Sequence, residues 1–415
     1  MKIEIISIGD ELLIGQTVNT NLAWMGEQLV NIGVQPEWAT TVGDVHENLL
    51  SALRSAESRA DTVLITGGLG PTHDDITKHA VTEYFGGVLV KNDEVLAKVH
   101  ERFRRRGIEM AKVNEEQAMV PDNAQIMPNE KGTAPGMIFR KDGKSFYVMP
   151  GVPFEMQDMM TRYVLPELQK QLGGRAVRIR NLMTTGVAES TLFARLDNLP
   201  EIVKLVQVAF LPNLFCVKIR LLAKAEAAGV AEERLGLAES MVLAKIGDAV
   251  YAREDIPLEV AVARLLVERG QTLAVAESCT GGLVGNLLTN IPGSSAFFER
   301  GLITYGNRAK IELLGVPEEV IARHGAVSAE TAGAMAAGVR RRSGTDYGIA
   351  VTGIAGPSGG TPEKPVGLVF VACADAGGVV VERHTFADDR LGNKQRSTQA
   401  VINLLRKRIL GVAHG

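Results

Sequence analysis

Apolar and polar positions change rhythm repeatedly along this chain, and each change falls at a turn rich in glycine or proline. Residues 3–8 (Ile-Glu-Ile-Ile-Ser-Ile) form a short strand-like run that stops at Gly9-Asp10-Glu11. A helix-like stretch follows from Asn21 to Asn31. The run Thr62–Thr66 enters Gly67-Gly68-Leu69-Gly70-Pro71, after which a helix is predicted to open near Asp74. Ser145–Met149 reads as another strand, leading through Pro150-Gly151-Val152-Pro153 into a helix that ends near Leu172. Strand, loop and helix in alternation predict a parallel α/β sheet over residues 1–172.

The texture then shifts. Over 173–254, short β-like pieces (Ala176–Thr184, Phe215–Leu222, Ala249–Tyr251) alternate with helices, as in a small α+β connector without a catalytic constellation. Residues 255–415 return to α/β. A helix over Leu258–Glu268 leads to a strand over Thr272–Ala276, then Glu277-Ser278-Cys279-Thr280-Gly281-Gly282 and a helix over 280–290. Further strands are predicted at Gly301–Tyr305, Tyr347–Val351 and Gly367–Ala372. No internal repeat relates the two α/β segments.

Composition supports this picture and narrows the partners. A chain of 415 residues is too long for one ordinary core, and 46% apolar with 22% charged residues is a globular balance. Net charge of −3 supplies no field toward nucleic acid or an anionic membrane. The basic run Arg102–Arg106 reads as a solvated helix face. Cys216, Cys279 and Cys373 have neither disulfide-framework nor zinc spacing, which fits a reducing compartment. With Asp10 and Glu11 so early, no signal peptide is read, and no apolar run is long enough to span a membrane, so a cytoplasmic chain is expected.

Candidate chemistry clusters where strands end. In open parallel sheets, ligands bind beyond the carboxyl ends of the strands. Glycine amides in Gly67–Gly70 and a following helix N-terminus suit an anion, while Asp10, Asp44, Asp74 and Asp75 are either caps or oxygen ligands for a hard cation. Taken alone, such a turn is more often only a turn and Asp at a helix start more often a cap, and His73 reads as a loop residue. Ser278 is either a nucleophile with nearby amides for an oxyanion or an N-cap of the next helix. The motif is not Gly-x-Ser-x-Gly, which disfavours an α/β-hydrolase elbow. His324, His384 and His414 stand in no catalytic setting. Lys310, beside Tyr305, is a candidate base, although on charge statistics it is a solvated surface lysine.

Several segments together resemble a known family. Gly9-Asp10-Glu11-Leu12-Leu13 with Asn19-Thr20-Asn21, Thr66–Thr72 with Asp74-Asp75 and Thr77, Gly132-Thr133-Ala134-Pro135-Gly136, and Pro150–Pro153 with Glu155-Met156 resemble the CinA (competence/damage-inducible) family. So do Ala276–Gly282, Thr304-Tyr305-Gly306-Asn307 with Lys310, His324–Ser328, Thr352–Pro357 and Glu363–Gly367. The resemblance implies an N-terminal MoCF-like (molybdopterin-binding-type) α/β domain that hydrolyses ADP-ribose to AMP and ribose 5-phosphate. There it implies a divalent metal (cobalt or magnesium), helped by potassium, at Asp74, Asp75, Asp44 and Asp10, with substrate at Gly67, Gly68, Gly70, Thr72, Gly132 and Thr133. It further implies a KH-like connector, which here lacks a Gly-x-x-Gly loop and so gives no support to RNA binding. The C-terminal domain is similar to nicotinamide-nucleotide amidases, which convert nicotinamide mononucleotide and water to nicotinate mononucleotide and ammonia. The resemblance makes Ser278 the nucleophile, Lys310 the base, and Tyr305 and Thr352 orienting or oxyanion groups, without a cofactor. Glu277, Thr280, Gly281, Gly282, Gly353, Arg390 and Arg396 are the substrate contacts it implies, the two arginines toward phosphate. A homodimer acting on small-molecule nucleotides is expected from the same source. The competing expectations are one active site only, or a non-enzymatic molybdopterin-type binder linked to DNA uptake.

Overall fold

A computed structural model describes residues 1–70, 75–107 and 109–412, apart from the side chains of Arg106 and Lys112. The chain forms two compact units: Met1–Arg178 with Lys224–Ala231, and Ile179–Ala223 with the residues from Glu232 onward.

In the first unit, strands β1 (Ile3–Ile8), β2 (Trp38–Val42), β3 (Thr62–Thr66), β4 (Gln125–Met127), β5 (Gly136–Lys141) and β6 (Lys144–Met149) form a sheet in the order β2-β1-β3-β6-β5-β4. All residues of β1 and β3 are buried, as expected of strands covered on both faces. Buried Glu4 is tolerated because Arg59 Nε donates to it at 2.8 Å and Thr40 Oγ1 at 2.6 Å. The expected parallel sheet holds for β2-β1-β3-β6, but β5 pairs antiparallel with β6 and β4 antiparallel with β5. Asp142-Gly143 is the reason: both residues have positive φ (49° and 77°), the requirement of a tight two-residue hairpin. The helix expected from Pro153 to Leu172 is interrupted by a π-helical turn at Met160–Val164, next to Pro166, which has no N–H to donate.

The connector strands, mostly in the second unit, are β7 (Ala176–Thr184), β8 (Gln207–Pro212), β9 (Val217–Ala225) and β10 (Val250–Ala252), in the order β8-β9-β7-β10. Strand β9 begins at Val217 and not at Phe215, because Asn213 Oδ1 accepts the N–H groups of Phe215 and Cys216 and holds a turn there. The last sheet combines β11 (Leu273–Glu277), β12 (Phe298–Ile303), β13 (Tyr347–Gly353), β14 (Leu368–Asp375) and β15 (Gly378–Thr385) in the order β12-β11-β13-β14-β15. The β12-β11-β13 part is parallel, and β14 and β15 return antiparallel. Four helices matter below: α1 (Leu258–Glu268), α2 (Leu283–Thr289), α3 (Asn307–Leu314) and α4 (Arg390–Leu410). Helix α4 buries Val401, Ile402, Leu404 and Leu405 against one face of the sheet, while Met335, Ala336 and Val339 of the helix Ala329–Ser343 cover the other.

Candidate active sites

In the C-terminal sheet, three neighbouring parallel strands deliver polar residues at one edge. Ser278 follows β11, Thr304 and Tyr305 follow β12, and Thr352 and Gly353 close β13. Ser278 is 8% exposed, and its N–H donates to Val351 O at 3.0 Å. Its hydroxyl is not a helix cap, since α2 starts at Leu283 with Gly282 as N-cap. Instead Lys310 Nζ, reaching back from α3, donates to Ser278 Oγ at 3.1 Å, to Thr304 O at 2.8 Å and to Tyr305 O at 3.1 Å. Lys310 is 1% exposed, the opposite of a solvated surface lysine. Burial pushes its ammonium pKa below the ordinary lysine value.

The other expected residues divide. Tyr305 is 59% exposed and its hydroxyl accepts from Arg390 Nη2 at 3.1 Å, while Arg390 Nη1 donates to Gly356 O at 2.6 Å. Arg390 therefore joins the site, whereas Arg396 is ion-paired to Asp388. Thr352 Oγ1 donates to Ala326 O at 2.7 Å, so its proton is committed to the 324–328 loop. Lys364 pins that loop by donating to His324 O and Val327 O, both at 2.8 Å. Glu277 is a loop anchor: its carboxylate accepts from Gly282, Val284 and Gly285 N–H at 2.9, 3.1 and 2.8 Å. Gly281 and Gly282 take φ of +64° and +98°, open to glycine with little strain. A Cβ on Gly353 would collide with Leu368 O and Val369. Thr280 Oγ1 is buried within the loop without a hydrogen-bond partner among the described residues. The N–H groups of Cys279 and Thr280 donate to no oxygen among the described residues. Cys279 is buried, which pushes its thiol up to about 12.

Two residues here escaped the sequence reading. Lys394, one turn beyond Arg390 on α4, brings Nζ to 3.6 Å from where a Cβ on Gly281 would sit. Asn393, fully buried, donates to Ala355 O at 3.1 Å and Asp388 O at 3.0 Å, fixing the loop before α4. The available signal was the four-residue spacing from Arg390 to Lys394.

In the N-terminal unit, a pocket of about 320 Å³ is lined by Gly68, Gly70, Asp75, Thr133, Gly151 and Glu155. Gly67 and Gly68 have positive φ, and a Cβ on Gly67 would collide with Ile8 O. Asn129 shapes the opposite wall: Oδ1 accepts from Gly132 N–H at 2.6 Å and Nδ2 donates to Glu155 at 2.7 Å. A Cβ on Gly132 would meet the Glu155 carboxylate. Asp75 Oδ1 accepts from Gly70 N–H at 2.7 Å. Asp10 and Asp44 clasp each other's backbone, with N–H to carboxylate distances of 3.0 and 3.1 Å. Thr72 and Asp74 lie outside the described residues. Among the described residues no three acidic, histidine or cysteine side chains converge as a metal set. Of the expected set Asp10, Asp44, Asp74 and Asp75, the three described members do not converge by themselves. Lys78, which sequence reasoning missed, lies near Asp75, donates to Glu116 O at 2.5 Å, and has its pKa lowered by burial.

Comparison with known proteins covers nearly the whole chain. Residues 4–170 match the family model described as "Probable molybdopterin binding domain", residues 179–252 the "Damage-inducible protein CinA KH domain", and residues 255–409 the "CinA C-terminal domain". A CinA-like protein of Chloroherpeton thalassium is 44% identical over 419 residues, covering 98% of this chain and 99% of its own. The chain belongs to the CinA family. A CinA-like protein of Gemmatimonas aurantiaca is 43% identical over 411 residues, covering 98% and 96% of the two chains. The solved structure of competence/damage inducible protein CihA from Agrobacterium tumefaciens is 40% identical to this CinA chain, covering 36% of it and 95% of its own, with a TM-score of 0.35.

Proposed function

We propose that the C-terminal domain hydrolyses the carboxamide of nicotinamide mononucleotide, with Ser278 as nucleophile and Lys310 as general base. The observation that supports this best is the 3.1 Å contact between Lys310 Nζ and Ser278 Oγ, both buried. A lysine whose ammonium is disfavoured by burial gives up its proton more readily than a solvated one, as a general base must. Nζ takes the Ser278 proton as Oγ bonds to the amide carbon, and the charge on the carbonyl oxygen is met by the Cys279 and Thr280 amides. The carbon–nitrogen bond breaks, and the proton on Nζ leaves with the nitrogen as ammonia. A water molecule then gives its proton to Lys310 and attacks the acyl ester. Nicotinate mononucleotide is released, and the proton returns to Ser278 Oγ. Tyr305 stacks or orients the ring and Arg390 meets the phosphate, with Thr352 bracing the 324–328 loop. Ammonia release from nicotinamide mononucleotide tests this: Ser278→Ala abolishes it, and equal release by both proteins refutes the assignment.

For the N-terminal domain, the glycine-walled pocket supports binding of a diphosphate by backbone amides, and with it cleavage of ADP-ribose to AMP and ribose 5-phosphate. Asp10, Asp44, Asp74 and Asp75 would hold the divalent cation expected there, which would offset charge on the diphosphate. AMP formation from ADP-ribose separates this reading from a molybdopterin-type binder, and chelator sensitivity tests the divalent cation and potassium. Cytoplasmic residence and a homodimer belong to the same proposal. No described helix is long and apolar enough to cross a membrane, and light scattering reads the assembly.

A further inference from the structure

We propose a second small-molecule site at the base of the C-terminal domain, where the connector meets α1, α2 and α4, and that it takes an uncharged purine-type heterocycle. The cavity there is about 380 Å³, at the small end of the ~300–1,000 Å³ usual for ligand sites. That room suits a base or nucleoside and refuses a dinucleotide.

Its walls define the ligand. The connector contributes Phe215, Cys216 and Tyr251, two aromatic rings and a thiol. Leu283 and Leu287 face them from successive turns of α2, giving an apolar slot that favours a flat ring. Gln395 and Gln399, successive turns of α4, add two carboxamides. A carboxamide donates and accepts side by side, the pattern that pairs with the edge of adenine. Neither glutamine is engaged by another group among the described residues. The charged lining residues are Asp255 and Glu259, and no lysine or arginine faces the cavity. Asp255 accepts from Lys218 at 2.6 Å. Lys218 offsets Asp255, and Glu259 leaves the rim net negative, which disfavours phosphate, so the occupant is the neutral base and not its nucleotide. None of Ser278, Tyr305, Lys310 or Arg390 lines this cavity, and the proposal stands without the amidase reading.

Cys216 supplies a local readout, because Cys279 and Cys373 are buried while Cys216 is half-buried. Full-length protein is alkylated with iodoacetamide, and labelling of the Cys216 peptide is followed by mass spectrometry. Millimolar adenine is expected to slow that labelling at least about fivefold, and AMP at the same concentration to leave it unchanged. Phe215→Ala and Gln399→Ala are each expected to raise the half-protecting adenine concentration about tenfold, with melting temperature and ammonia release retained. Labelling unaffected by adenine, equal protection by AMP, or protection preserved in both variants overturns the proposal. Reading protection at Cys216 keeps binding in the N-terminal pocket from being mistaken for it.

Discussion

At the scale of single residues, Lys310 carries the most information. Charge statistics place a lysine on the surface, yet this one is buried because Thr304 O, Tyr305 O and Ser278 Oγ surround its nitrogen. Two of those partners are backbone carbonyls, which no residue pattern announces. Lys310→Met is expected to cut ammonia release by ~10²–10⁴-fold without lowering the melting temperature at neutral pH. The pH profile follows from the direction of the shift. Activity should rise with slope one as pH climbs through the lowered Lys310 pKa, then level off below the ordinary lysine range. Between the folded and unfolded pKa values the unfolded chain binds more protons, so stability also rises with pH in that window. Denaturant titrations across it should show a slope that Lys310→Met flattens; an unchanged slope would exclude a depressed pKa.

At the scale of elements, turns decide the sites. Glu277 serves the loop more than any ligand, since three amides converge on it. Glu277→Gln turns one acceptor into a donor facing N–H groups, at a cost of roughly 1–3 kcal/mol. A lower urea midpoint with reduced ammonia release is expected. Gly67→Ala should lower the unfolding midpoint and abolish ADP-ribose binding, because φ of +115° and the Ile8 carbonyl leave no place for a methyl group. Strand–loop–helix alternation was legible because β1 and β3 are mostly apolar runs that stop at glycines. The antiparallel return was not read, although Asp142-Gly143 announces it. The π-helical turn at Met160–Val164 depends on how a proline is accommodated, which hydrophobic periodicity does not encode.

Across the whole molecule, both α/β sites were legible because their residues sit in short contiguous motifs at strand ends. The cavity beside α2 and α4 was not, since its lining runs from Met183 to Gln399 with no local spacing to reveal it. Buried Arg406 was equally silent: it reaches Asp248 O at 3.0 Å and Val250 O at 3.3 Å, contacts that exist only once the connector is folded. If the two activities are separate, Ser278→Ala retains AMP formation from ADP-ribose, and parallel loss of both products would link them. Cys279, the thiol beside Ser278, is 6% exposed. Burial shields the Cys279 thiol and disfavours its thiolate, so the Ser278 loop is expected to resist electrophiles and peroxide despite its cysteine. Deamidation should therefore continue undiminished through oxidative stress that would halt an enzyme working through sulfur.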